Sequence, residues 1–81
     1  MRLQHTAHAR EQFIRAPSDI RRAFRKQIKF LLQDLRHPSL RAKKYDRTND
    51  IWQARITRGW RFYFRIEDDR YLILALMQHS K

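Results

Sequence analysis

The spacing of apolar positions changes once along the chain. From Asp19 to about Leu35 they fall at Ile20, Phe24, Ile28, Leu31, Leu32 and Leu35, with Ala23 beside them. Three-and-four spacing of this kind predicts an amphipathic helix. Arg21, Arg22, Arg25, Lys26 and Lys29 occupy the rest of its circumference, which reads as a solvated face. Ahead of it, Thr6 suits the N-cap of a shorter helix from about Ala7 to Arg15 that carries Phe13 and Ile14. The stretch "APSD" separates the two helices. Pro17 disfavours helical geometry at Ala16, and Ser18 can cap the second helix. Pro38, in "RHPSL", ends that helix. The first residues, Arg2 to His5, read as a short strand with Leu3 buried.

After a basic connection, "RAKKYDRTND", the period becomes two. In "IWQARIT", Trp52, Ala54 and Ile56 point one way and Gln53, Arg55 and Thr57 the other. In "WRFYFRI", Trp60, Phe62, Phe64 and Ile66 share one face, and Arg61, Tyr63 and Arg65 share the opposite one. "RG" between them predicts a tight hairpin in which Gly59, the only glycine, takes a positive φ. "EDDR" makes a second turn, and "YLILALM", apolar on both faces, predicts a central strand. The order is strand, helix, helix, then a three-strand antiparallel meander: one α+β domain over residues 1–81, with both helices on one face of a small sheet. The Trp and Phe side chains form the core. Arg55, Arg61, Tyr63 and Arg65 line the open face, since a continuous hairpin keeps strand faces aligned.

Charge sharpens this picture. There are 19 Lys and Arg against 8 Asp and Glu, a net charge of +11, and 14 of the 19 are arginine. A field this strong on so small a body attracts polyanions or an acidic partner. The arginine fork grips phosphate oxygens in pairs, which favours nucleic acid. With no cysteine there is neither a disulfide framework nor a thiolate metal site. His5 and His8 have helical metal spacing but lack a third ligand, and Glu67, Asp68 and Asp69 read as a solvated turn; no metal or other cofactor is expected. No apolar run is long enough for a membrane span or a signal segment, so a soluble cytoplasmic protein is expected.

Two N-terminal helices, "HPSL", the run "IWQARITRGWRFYF", an acidic turn and "LILALMQH" together resemble the RelE/ParE superfamily of bacterial type II toxins, over nearly the whole chain. The chain looks most similar to compact RelE-like members that end just past a histidine. The resemblance implies a cognate antitoxin as partner. It also implies one of two activities: metal-independent cleavage of messenger RNA on the ribosome, or inhibition of DNA gyrase. A noncatalytic relic of the fold is a third reading. On the nuclease reading, Arg61 matches the family arginine that contacts the scissile phosphate. His79 matches the C-terminal histidine that acts as general acid or base, and Arg55 a basic position that helps bind or activate the substrate. Gln53 stands where some members carry a lysine, and Ser80 where an aromatic side chain often follows the histidine. Lys43, Lys44, Tyr63 and Arg65 are expected to contact RNA. The chemistry itself asks for a base at the 2′-hydroxyl, positive charge on the phosphorane and an acid at the leaving 5′-oxygen. Arginine suits the second task and histidine the first or third.

Overall fold

The computed structural model describes residues 1–79. Its elements are β1 (Arg2–His5), α1 (Ala7–Arg15), α2 (Ser18–Gln33), a 3₁₀ turn (Pro38–Leu40), β2 (Lys43–Asp46), β3 (Ile51–Thr57), β4 (Trp60–Glu67) and β5 (Arg70–Gln78). The five strands form one sheet in the order β1-β5-β4-β3-β2. β2 through β5 are antiparallel neighbours, whereas β1 pairs parallel to β5, from Arg2 opposite Arg70 to His5 opposite Ile73. Fold class and helix order agree with the sequence expectation. The three-strand meander is instead a four-strand antiparallel run with a parallel edge. Its additional strand, β2, comes from "KKYD" inside the expected connection.

The helices are set by local chemistry. The Thr6 hydroxyl accepts the Ala9 N–H at 3.0 Å and caps α1. Ser18 does not cap α2; it is the first helical residue, after Pro17, and no side-chain cap bond is made there. α2 also ends at Gln33, short of Leu35.

Phe62, Phe64, Leu31, Leu40 and Ile73 are the largest fully buried side chains. Aromatic rings connect the layers. Phe13 meets Phe24 at 5.7 Å, Phe24 meets Phe62 edge-on at 5.2 Å, and Phe64 meets Tyr71 edge-on at 5.7 Å. Such tilted contacts suit the ring quadrupole. Trp52 and Trp60 are half-buried and pack against this core. Leu32 lies outside it, 40 % exposed on the solvent side of α2. Leu3 is exposed as well, because β1 is an edge strand; it forms part of the wall of an apolar groove of about 400 Å³ with Phe13, Phe24, Ile28, Ile73 and Leu76.

Three irregularities tune the strands. Ile56 is the extra residue of β3 before the hairpin, Leu74 that of β5 opposite Tyr63 and Phe64, and Tyr45 that of β2. The Leu74 bulge shifts the core face of β5 from Tyr71 and Ile73 to Leu76. Its polar groups are satisfied from α1 and its cap: Thr6 Oγ1 donates to the Leu74 carbonyl at 3.3 Å, and Leu76 N–H donates to Gln12 Oε1 at 2.9 Å. Gly59 does not take a positive φ, and a Cβ built there meets nothing within 4 Å. The positive φ values fall on Arg41, Asp50 and Asp68. Aspartate tolerates that region through its short polar side chain. No helix among the described residues is long and apolar enough to cross a membrane.

Candidate functional site

Register confirms the two-sided strands. Gln53 stands opposite Tyr63 and Arg55 opposite Arg61, while Ala54 and Trp52 oppose Phe62 and Phe64. The helices cover the second set, so the first forms the open face. At one end of that face a pocket of about 240 Å³ is lined by Arg41, Lys43, Gln53, Ala54, Arg55, Arg61 and His79. A phosphate group fits such a volume. Arg61, Arg55, His79 and Lys43 are therefore brought together.

Each is held differently. Arg61 donates one terminal nitrogen to the carbonyls of Thr57, Arg58 and Trp60 at 2.8, 3.2 and 3.1 Å, so the hairpin turn grips its guanidinium. The His79 backbone N–H donates to the Gly59 carbonyl at 2.7 Å, which pins the residue after β5 beside the same turn. The Arg55 Nε is shielded and makes no hydrogen bond. The guanidinium of Arg41, then burial, then Arg61 and Arg58, hold the Arg55 guanidinium below its ordinary pKa. An anion bound among these guanidiniums would offset their mutual repulsion.

Tyr63 lies on the same face, its hydroxyl accepting from Gln53 Nε2 at 3.0 Å. Arg65 lies further along β4, with its Nε donating to the Asn49 carbonyl at 3.1 Å. Lys44 is not on this face. It pairs in register with Trp52 on the helix side, its ammonium 5.1 Å from the Trp52 ring and bonded to Asp50. Adjacent strand residues point to opposite faces, so Lys43 and Lys44 cannot share one. Ser80 lies outside the described residues. No group of His, Cys, Asp or Glu suited to a metal ion is found among the described residues.

Sequence reasoning misses three residues. Arg41 enters the pocket from the end of the 3₁₀ turn with φ 47°. Tyr45 lies on a strand that reads as a linker. Gln27 is buried within α2: its amide nitrogen donates to the carbonyls of Ser39 and Arg55 at 3.0 and 2.8 Å, and its oxygen accepts from the Ser39 hydroxyl at 2.9 Å. One side chain thus fastens the 3₁₀ turn, which leads into Arg41, to the backbone of Arg55. A polar residue on the apolar stripe of the helix is the visible signal. Gln27→Glu keeps the shape but removes the donor, leaving two carbonyls unpartnered. It should destabilise the fold by about 1–3 kcal/mol or more, measured as a fall in denaturant midpoint at unchanged slope.

A family model described as the ParE toxin of a type II toxin–antitoxin system, parDE, matches residues 3–81. No curated protein is detectably similar in sequence. Solved structures share the fold. A YoeB/ParE toxin from Agrobacterium tumefaciens superposes with a TM-score of 0.82 at 16% identity, covering 99% of this chain and 100% of that one. A chain of the archaeal RelE–RelB complex from Pyrococcus horikoshii OT3 gives 0.81 at 18% identity, covering 99% and 96%. The isolated E. coli RelE toxin gives 0.79 at 15% identity, covering 99% and 85%. With nearly every residue inside the family match and the fold shared throughout, the chain belongs to the ParE toxin family and is the toxin of a type II toxin–antitoxin system.

Proposed function

We propose that this toxin is an endoribonuclease that cleaves messenger RNA on the ribosome without a metal, and that a cognate antitoxin holds it inactive. The observation that carries the reading is the pocket lined by Arg41, Arg55, Arg61 and His79. In the proposed reaction the RNA 2′-hydroxyl loses its proton and attacks the adjacent phosphorus. Charge gathers on the phosphorane oxygens, where Arg61 and Arg55 stabilise it. The bond to the 5′-oxygen then breaks, and His79 donates a proton to that oxygen. The products are a 2′,3′-cyclic phosphate and a 5′-hydroxyl. Among the described residues, no carboxylate lines the pocket. Among the described residues that line it, His79 is the side chain with an acid–base ring, and the reaction has two proton transfers. In the proposed reaction a group of the ribosome takes the 2′-hydroxyl proton.

The antitoxin is expected from the family, and several structural relatives are toxin–antitoxin complexes. A second reading, inhibition of DNA gyrase, is favoured by the family model itself, which is that of ParE. Induction of the toxin in bacteria separates the two within minutes. Messenger RNA ends bearing a 5′-hydroxyl, with DNA supercoiling unchanged, are expected. Loss of supercoiling with intact messages would establish the gyrase reading, and 5′-phosphate ends would exclude the proposed chemistry.

A further inference from the structure

The open face carries an aromatic pair that the pocket chemistry does not use. The bulge between Lys44 and Asp46 leaves Tyr45 without a partner on β3. Its ring reaches the open face and meets Tyr63 at 4.9 Å, with the planes 64° apart. Tyr45 is nonetheless 60% exposed, so most of its ring faces solvent. Water is a poor neighbour for that much apolar ring, and an unpaired strand residue has no ladder reason to be aromatic. Tyr63, which backs it, is fixed by its bond from Gln53, and Gln53 lines the pocket. Lys43 borders the pocket side of the pair, and Arg65 stands beyond it on β4. Alternate residues of a strand lie about 7 Å apart. The row Arg61, Tyr63 and Arg65 thus sets a cation, an aromatic and a cation at roughly one-nucleotide intervals. Basic tracks interleaved with exposed aromatic rings are how proteins hold single-stranded nucleic acid.

We propose that Tyr45, braced by Tyr63, is the stacking platform for the nucleobase next to the phosphate held by Arg55 and Arg61, and that it fixes where in the RNA chain the cut falls. The assignment rests on the nuclease reading. It is tested in a His79→Gln background, which permits expression, with a short single-stranded oligonucleotide lacking 2′-hydroxyls. Binding is measured by fluorescence anisotropy over a range of salt. Tyr45→Ala should weaken binding about 5- to 100-fold and leave the salt slope unchanged, and Tyr45→Phe should bind like wild type. Lys43→Ala should instead lower the slope by about one. With His79 restored, Tyr45→Ala should also redistribute cleavage sites on a reporter message. Unchanged affinity and cut sites in Tyr45→Ala, in a protein that binds and cleaves otherwise, would overturn the stacking role alone. So would a Tyr45→Ala defect confined to antitoxin binding, which would make Tyr45 a protein-docking residue. If the wild type neither binds the oligonucleotide nor cuts messages, the nuclease reading fails, and the stacking role with it.

Discussion

On the proposed nuclease reading, Arg61→Ala should slow messenger RNA cleavage about 10²–10³-fold. The basis is that the hairpin carbonyls of Thr57, Arg58 and Trp60 fix one end of the guanidinium before substrate arrives. A donor held in advance needs no reorganisation as charge develops on the phosphorane. Arg61→Lys should recover little, because a guanidinium can keep one nitrogen on the turn and offer the other two to phosphate oxygens, which a single ammonium cannot do. In the same site His79→Ala should cost about 10²–10⁴-fold, and His79→Gln should not restore activity, since an amide hydrogen-bonds but does not titrate. Cleavage of a reporter message in a translating extract measures all four variants, with circular dichroism as the control for folding. Both side chains lie off the core face, so the fold should persist. Full activity in Arg61→Ala would remove the pocket as the seat of catalysis. Full activity in His79→Ala alone would retain the arginine and move the proton transfer to another group.

Phe62→Ala should destabilise the domain by about 3–5 kcal/mol. Phe62 is fully buried at the centre of β4, edge-on to Phe24 at 5.2 Å and tilted against Phe64 at 5.6 Å. Deleting its ring removes both contacts and leaves a cavity between α2 and the sheet that neither neighbour can fill without leaving its own position. Total stabilities of about 5–15 kcal/mol are usual, and a small domain sits at the lower end. The variant should therefore be largely unfolded at moderate denaturant. Phe62→Leu, which keeps most of the volume, should retain a cooperative transition. Equilibrium urea unfolding distinguishes them. Equal midpoints for Phe62→Ala and wild type would mean that the strand faces are assigned the wrong way round, and the open-face site would lose its basis.

The two helices, the β3–β4 hairpin and its facing are legible in the sequence because each rests on local periodicity. Phe24, Ile28 and Leu31 repeat on the helix as Phe62 and Phe64 alternate on the strand, and the core is where those stripes meet. The features that cannot be read depend on distant partners. "KKYD" has no apolar alternation, since an edge strand needs only backbone pairing and gains from charge. Leu3 reads as buried because it is apolar, but it lies on a strand whose outer edge nothing covers. Gly59 reads as obligatory for the hairpin, yet the turn that follows the Ile56 bulge closes without a positive φ, and Asp50 and Asp68 have positive φ in the two neighbouring turns. In the site, strand parity places Arg55, Arg61, Tyr63 and Arg65 on one surface. Arg41 and Gln27 depend on how the 3₁₀ turn docks, and Lys44 on a parity that is invisible while "KKYD" reads as a connection.

The position of β5 has a consequence for synthesis. It lies between β1 and β4, yet it is the last of the described elements to be translated. Before Arg70–Gln78 leave the ribosome, β1 has no strand to join, and Tyr71, Ile73 and Leu76 are missing from the interior. The bond from Thr6 to the Leu74 carbonyl spans 68 positions of sequence. Contacts this remote make a chain slow to close. Phe62 and Phe64 also precede in the chain the strand that shelters them, opposite Leu76 and Ile73. Sheet closure and completion of the Arg61–His79 pocket therefore both depend on β5, since His79 directly follows it.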